Sequence, residues 1–190
     1  MNLLTFAMST IFIQNIILTK FLGLCPFFGV SKNAKGALGM GLAVTFVIFG
    51  SSLLTYVLYY GVLVPFELEY LQLISLILII AAFVQFIEML MKKYMLNLYK
   101  ILGIYLPLIT TNCVVLYVAQ EIIVQKYSFV QMIVYSISVP LGYMLILVLF
   151  SCLRERLDFG NISKSWKGNP IALISAGLMA LAFSGLAGIV

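Results

Sequence analysis

The stretch ALGMGLAVTFVIFGSSLLTYVLYYG at residues 37–61 decides the fold class, because its 25 residues include no charged side chain. About 20 apolar residues of helix cross the hydrocarbon core of a bilayer, which is roughly 30 Å thick. The whole chain shares this character: 64% of its 190 residues are hydrophobic and 9% are charged, against roughly 25% charged in a soluble domain. The sequence therefore predicts an integral membrane protein.

Six stretches of this kind can be drawn along the chain. The predicted membrane-spanning helices are Leu3–Leu22, Ala37–Gly61, Leu71–Met91, Leu96–Ala119, Phe129–Leu153 and Pro170–Val190. The connections between them are short, which leaves no room for a soluble catalytic domain, so we predict a single all-α membrane domain over residues 1–190. Any catalytic reaction must then depend on a cofactor within the membrane or on a partner chain.

The basic residues predict the orientation in the membrane. Ten Lys and Arg residues flank the first, third and fifth connections, and only Lys126 lies on the opposite side. Because Lys and Arg near span ends are retained on the cytoplasmic side, both termini are expected outside. The basic residues behind the net charge of +5 are scattered over the ends of the spans and form no nucleic-acid-binding motif. We therefore expect this chain to contact the lipid bilayer and not a nucleic acid.

An even number of spans permits two inverted halves of three spans, approximately residues 1–91 and 96–190. Cys25 and Cys113 are 88 residues apart, and this register lays span one on span four and span two on span five. Each cysteine lies late in the first span of its half, near helix-disturbing residues: Gly23 and Pro26 in one half, Gly103 and Pro107 in the other. Gly/Pro-interrupted segments at matching places in two halves point to a functional site.

Cys25 and Cys113 are the candidate chemical groups of the chain. The sequence has no histidine, no Gly-rich phosphate loop after a strand, and no nucleophile with a plausible base. A lone cysteine in a span is most often a small hydrophobic residue. Thiolates, however, also bind iron-sulfur clusters, Zn or Cu(I). An iron-sulfur cluster normally needs four protein ligands, so either a second chain completes the set or the pair forms a weaker metal site or a redox disulfide.

Unbroken helices would keep the two thiols apart. Cys25 would lie roughly 33 Å along span one, near the cytoplasmic face, and Cys113 roughly 25 Å along span four, towards the outer face. If both thiols bind one cluster, spans one and four must break near the cysteines. We therefore predict broken helices at Gly23/Pro26 and at Gly103/Pro107.

Five stretches carry a family resemblance, in order along nearly the whole chain: KFLGLCPFFGVSK (20–32), GMGLAVTF (39–46), LGIYLPLITTNC (102–113), LRERL (153–157) and ALISAGLMALAFSG (172–185). They closely resemble the RnfA/NqrE family of membrane subunits. The Pro after Cys25 and the Thr-Thr-Asn-Cys ending at Cys113 are similar to the Rnf branch of that family. The stretch VVLYVAQ after Cys113 differs from the GRAEAF-like stretch expected of the homologous RnfE subunit.

The resemblance implies a component of the Rnf ion-translocating electron transport complex of the bacterial cytoplasmic (inner) membrane. In that complex electrons pass between ferredoxin and NAD through flavins and iron-sulfur centres and drive Na⁺ or H⁺ across the membrane. It further implies an intramembrane [2Fe-2S] cluster, held by Cys25 and Cys113 of this chain and by two cysteines of an inverted, RnfE-like homologue. FMN, further iron-sulfur clusters and NAD would belong to other Rnf subunits (B, C, D, G), so this chain would be part of a translocase without a complete active site of its own.

Three other side chains invite a functional reading. Cys152 matches no ligand motif and is predicted to be a packing residue. Glu88 is predicted to be an interfacial or ion-paired acid near Lys92, with an ion or proton relay as the alternative. Lys20 is predicted to be an anchor whose ammonium reaches the membrane interface, with a charge that tunes the cluster as the alternative.

Two other classes of function fit the same spans. Possible inverted repeats with broken helices also occur in small secondary transporters, which bind substrate where the halves meet and would not need both cysteines. A purely structural membrane scaffold with inert thiols is the third possibility.

Overall fold

The computed structural model describes residues 3–12, 15–31, 34–65, 69–94, 109, 111–158, 166 and 168–187, and the regular structure in these ranges is helical. Eight α-helices are described: α1 (Leu3–Phe12), α2 (Ile16–Lys20), α3 (Leu24–Val30), α4 (Ala34–Leu58), α5 (Gln72–Tyr94), α6 (Cys113–Val124), α7 (Phe129–Asp158) and α8 (Asn169–Ala187). A π-helical segment, Tyr59–Leu63, extends α4, and a 3₁₀ turn, Glu69–Leu71, precedes α5.

Three of the described helices are long and apolar enough to cross a membrane: Gly36–Leu63, Gln72–Leu90 and Phe129–Leu157. They correspond to the second, third and fifth predicted spans. Cys113–Val124 and Asn169–Gly185 are shorter apolar helices, in the fourth and sixth predicted spans. Residues 95–108, which hold Gly103 and Pro107, lie outside the described residues. The all-helical, apolar architecture is that of the predicted membrane class.

The first predicted span, Leu3–Leu22, is two short helices, α1 and α2, instead of one, and the short helix α3 follows it. Asn15 has extended backbone (φ −65°, ψ 119°), and its side-chain oxygen caps α2 by accepting from the Ile17 amide. A second interruption follows Lys20, where Phe21 and Gly23 both adopt left-handed backbone with φ of 54° and 79°. The straight-helix alternative is therefore wrong for this span. The sequence predicts the interruption near Gly23 but not the one at Asn15.

The core is built around α4 and α7, which form the most extensive helix pair, with α1 and α6 packed against them. Phe27 of α3 stacks on Phe150 of α7 with ring centroids 4.3 Å apart, and both side chains are fully buried. Such close aromatic stacking stabilises a contact beyond its buried area by about 0.5–1.5 kcal/mol. It fixes the short helix α3, which carries Cys25, against the longest helix of the chain.

The segment before α2 is held to the middle of α7. The Asn15 amide nitrogen donates to the backbone oxygen of Gly142 at 2.9 Å and to that of Ile11 at 3.2 Å. A β-carbon at Gly142 would lie 2.9 Å from the Ile11 oxygen, so glycine permits this close crossing of backbones. The chain is therefore fixed to α7 at Gly142, next to Tyr143, before it reaches the second interruption at Phe21 and Gly23.

Candidate functional site

The two cysteine-bearing segments meet at one junction. The backbone N–H of Gly23 donates to Cys113 Sγ at 2.9 Å, although the two residues are 90 positions apart in sequence. Gly23 precedes Cys25 by two residues. The interruption after Lys20 thus places the left-handed Gly23 against the sulfur of the second cysteine.

Cys113 is the first residue of α6, and Asn112 positions it. Asn112 has extended backbone (φ −74°, ψ 116°), and its side-chain oxygen accepts from the Val114 amide at 3.1 Å, which caps the helix. A helix N-terminus carries partial positive charge and stabilises anionic groups placed there. Cys113 Sγ accepts the N–H of Gly23 and lies at the positive end of α6, and both features suit a thiolate ligand.

Cys25 lies in the first turn of α3, and its side chain is exposed, whereas that of Cys113 is partly buried. The far end of α3 is held by Arg154, whose guanidinium donates to the backbone oxygen of Phe28 and to Ser31 Oγ, each at 2.9 Å. Arg154 is 5% exposed and also donates to Asn169 Oδ1 at 3.3 Å. One buried arginine thus joins α3, α7 and α8.

Tyr143 of α7 lies behind the junction and is 1% exposed. A β-carbon added to Gly23 would lie 2.9 Å from Tyr143 Cε2 and 2.6 Å from Val114 Cγ2, so the ring packs directly on the glycine. The left-handed Gly23 therefore packs between the Tyr143 ring and the start of α6 at Cys113.

The junction brings together too few donor side chains for a complete metal site. Among the described residues, no group of three or more His, Cys, Asp or Glu side chains could hold a metal ion. An iron-sulfur cluster normally takes four thiolates, and the exposed Cys25 leaves one side of the junction open to another protein. The donor set fits half of a cluster site, with N–H donation to sulfur of the kind that tunes such clusters.

Cys152 and Glu88 do not belong to the cysteine junction: Cys152 lies near the end of α7, and Glu88 lies on α5. Cys152 is nine residues beyond Tyr143 on α7, roughly 13 Å along the helix, and its side chain is exposed. Its side of α7 faces outward from this chain, so the prediction that Cys152 is a packing residue concerns lipid or a partner chain and stays a prediction. Glu88 is half-buried on α5, one turn before Lys92.

Lys20 lines a cavity of about 310 Å³ together with Glu121, and the other lining residues are Ile16, Thr19, Tyr117 and Tyr135. Glu121 belongs to the far end of α6, which leads to Lys126. The sequence predicts that Lys20 flanks the first connection with Lys32, yet Lys20 precedes the Gly23 interruption and faces α6. It is therefore a wall residue of this cavity.

Sequence reasoning missed two side chains of the site. Arg154 counts in the sequence only as a basic residue at a span end, and Tyr143 is one apolar-span residue among many. Each acts through a partner more than 100 positions away in sequence, such as Phe28 and Gly23. The one signal in the sequence for the role of Arg154 is its place in the family-like stretch LRERL. Arg156 lies in the same stretch, so the sequence does not tell which of the two arginines is buried.

Comparison with known proteins supports the resemblance found in the motifs. A family model described as "Rnf-Nqr subunit, membrane protein" matches residues 3–190. The chain is 51% identical over 188 residues to the A subunit of the Na(+)-translocating ferredoxin:NAD(+) oxidoreductase complex of Acetobacterium woodii, covering 99% of this chain and 98% of that protein. It is 52% identical over 189 residues to the A subunit of the ion-translocating oxidoreductase complex of Syntrophotalea carbinolica, covering 100% and 98%. The predicted resemblance is confirmed, and the chain belongs to the Rnf-Nqr family of membrane subunits.

Proposed function

We propose that this chain is an electron-transfer component of a membrane ferredoxin:NAD oxidoreductase coupled to Na⁺ or H⁺ translocation. In this proposal Cys25 and Cys113 provide two of the four thiolates of an intramembrane [2Fe-2S] cluster, and an inverted, RnfE-like homologue provides the other two. The observation that carries it is the N–H···S contact of 2.9 Å between Gly23 and Cys113. This contact brings together two segments that straight helices would hold apart.

The residues of this chain would hold and shield the cluster. The cluster itself supplies a site that accepts and releases one electron at a time. Gly23 donates to the sulfur of Cys113, Asn112 fixes the start of α6, and Arg154 fixes the end of α3. Ferredoxin, NAD, FMN and the remaining iron-sulfur centres would bind the other subunits (B, C, D, G), and ion translocation would belong to the whole assembly.

Substitution of either cysteine tests this proposal. We expect Cys25→Ser and Cys113→Ser each to remove the paramagnetic resonance signal of the reduced cluster from the anaerobically purified assembly. Iron content should fall by one cluster, and electron transfer from ferredoxin to NAD should fall to background, because serine replaces a thiolate ligand with a hydroxyl. Cys152→Ser is the matched control and should leave all three measurements unchanged. Retention of the signal in both ligand variants would reject the assignment.

The secondary-transporter alternative has one observation in its favour. The cavity beside α6 is lined by Lys20 and Glu121, and a polar space of this kind could take a transported substrate. That function would require neither thiol. The cysteine variants therefore separate the two proposals, since a transporter would keep its activity in Cys25→Ser and Cys113→Ser.

We also propose that the chain lies in the bacterial cytoplasmic membrane with both termini outside. The bonds from Arg154 to Phe28, Ser31 and Asn169 support this orientation. They bring the ends of α3, α7 and α8 together, so the basic first and fifth connections lie at the same end of the molecule.

Labelling of single introduced cysteines tests the orientation. Lys164→Cys should be protected from a membrane-impermeant maleimide added to intact cells, because its connection is expected in the cytoplasm. Lys126→Cys should be labelled, because it is expected outside. The reverse pattern would invert the proposed topology.

A further inference from the structure

The hydroxyl of Tyr143 is a buried polar group without a partner among the described residues. Its side chain is 1% exposed, and in that part of the chain its hydroxyl is one of few fully buried side-chain polar atoms without a hydrogen bond. Buried tyrosine hydroxyls usually find a partner, because leaving one unpaired is unfavourable. The position of Tyr143 at the cysteine junction therefore needs an explanation.

The other unpaired hydroxyls have an ordinary explanation. Ser52, Thr55 and Ser151 lie on helices, and a short hydroxyl can turn to the carbonyl one turn earlier in its own helix. A tyrosine hydroxyl is too far from its own backbone for this. Tyr143 thus requires a partner from outside α7.

The surroundings of Tyr143 identify that partner chemically. Its ring edge packs on Gly23, whose N–H donates to Cys113 Sγ and which precedes Cys25 by two residues. The amide nitrogen of Asn112 is a second buried donor without a partner in the described ranges, and it is adjacent to Cys113 in sequence. Two unused donors at one pair of cysteines fit an electron-rich, sulfur-containing group as the missing acceptor.

We propose that the Tyr143 hydroxyl donates a hydrogen bond to a sulfur atom of the cluster held at Cys25 and Cys113 and thereby raises the reduction potential of that cluster. This inference rests on the proposed function. Reduction adds one electron to the cluster, and a donor to sulfur stabilises the more negative, reduced form. Tyr143 is a tuning residue in this scheme and is not itself oxidised, reduced or deprotonated.

Tyr143→Phe removes the hydroxyl and keeps the ring. In the intact assembly, a redox titration followed by electron paramagnetic resonance should give a more negative midpoint potential for the cluster than in wild type. The loss of one hydrogen bond should weaken reduction roughly three- to tenfold, and tenfold corresponds to about 59 mV for a one-electron couple. Tyr135→Phe is the matched control: Tyr135 is also buried on α7, two turns earlier, and its substitution should not change the potential.

A second variant keeps the test decisive if Tyr143→Phe prevents cluster assembly. Site-specific 3-fluorotyrosine at position 143 retains the shape and the hydroxyl but makes it a stronger donor, so the midpoint potential should become more positive. A cluster whose potential is unchanged in the variants that assemble overturns this inference and leaves the cysteine assignment intact. Absence of any cluster in wild type would overturn the proposed function, and this inference with it.

Discussion

Gly23→Ala is expected to lower the free energy of unfolding by about 2–5 kcal/mol and to remove the cluster from the assembly. Gly23 has φ +79°, and a left-handed backbone costs an L-residue with a side chain roughly 1–2 kcal/mol. The new methyl group would also lie 2.6 Å from Val114 Cγ2 and 2.9 Å from Tyr143 Cε2, and such overpacking adds about 1–3 kcal/mol. Thermal unfolding in detergent and the iron content of the assembly measure the two effects.

Two other glycines separate backbone strain from steric overlap. Gly168 has φ +108° with open space around its β-carbon position, so Gly168→Ala should show only the strain, about 1–2 kcal/mol. Gly39 lies within α4, also with open space, and Gly39→Ala should be neutral or stabilising because alanine favours helix. If Gly23→Ala were no worse than Gly168→Ala, the packing of Val114 and Tyr143 on Gly23 would be wrong.

Arg154→Met is expected to destabilise the protein by about 2–5 kcal/mol. The substitution leaves acceptors at the end of α3 and the start of α8 without their donor, namely the half-buried Phe28 backbone oxygen, the buried Ser31 Oγ and the exposed Asn169 Oδ1. Each unsatisfied buried acceptor costs about 1–3 kcal/mol. The apparent melting temperature in detergent should fall clearly, and Arg154→Lys should recover part of the loss by keeping one donor group near α3.

Arg156 is the natural control for this experiment. It lies two residues later on α7, is exposed, and has the same charge and length. Arg156→Met should change the free energy of unfolding by no more than about 0.5 kcal/mol, as is usual at the surface. Equal melting temperatures for Arg154→Met and Arg156→Met would show that the bonds of Arg154 do not hold α3 in place.

The membrane class and the longest helices could be predicted because they depend on local quantities. Apolar length alone identifies Ala37–Gly61, Leu71–Met91 and Phe129–Leu153, and the structure has long apolar helices at all three. The interruption before Cys25 could also be predicted, since glycine tolerates left-handed backbone. Each of these features depends only on residues that are close together in the sequence.

The break at Asn15 could not be predicted in the same way. Asparagine occurs inside helices as well as at their starts, and here its role as a cap depends on a hydrogen bond to Gly142, 127 positions away. The role of Arg154 is hidden for a related reason. Arg154 and Arg156 look alike at the end of a span, and only the packing of α7 decides which one is buried.

Cys25 and Cys113 stand out in the sequence by motif resemblance. The sequence does not show that they are close together; it only requires this if both bind one cluster. The residues alone allow straight helices with separated thiols. The N–H···S contact from Gly23 to Cys113 arises from tertiary packing around Tyr143. The ligand role of both thiols is the proposal that the cysteine variants test.

The seven-residue helix α3 is held at both ends, by the contact of Gly23 at its start and by Arg154 at its end. A sulfur carried on such a short, doubly fixed segment has little freedom to move when the charge beside it changes. Polar groups that are already in place need no rearrangement at the moment of charge transfer. Under the proposed function, this stiffness means a small reorganisation energy at the cluster, and loosening either end of α3 would slow electron transfer through it.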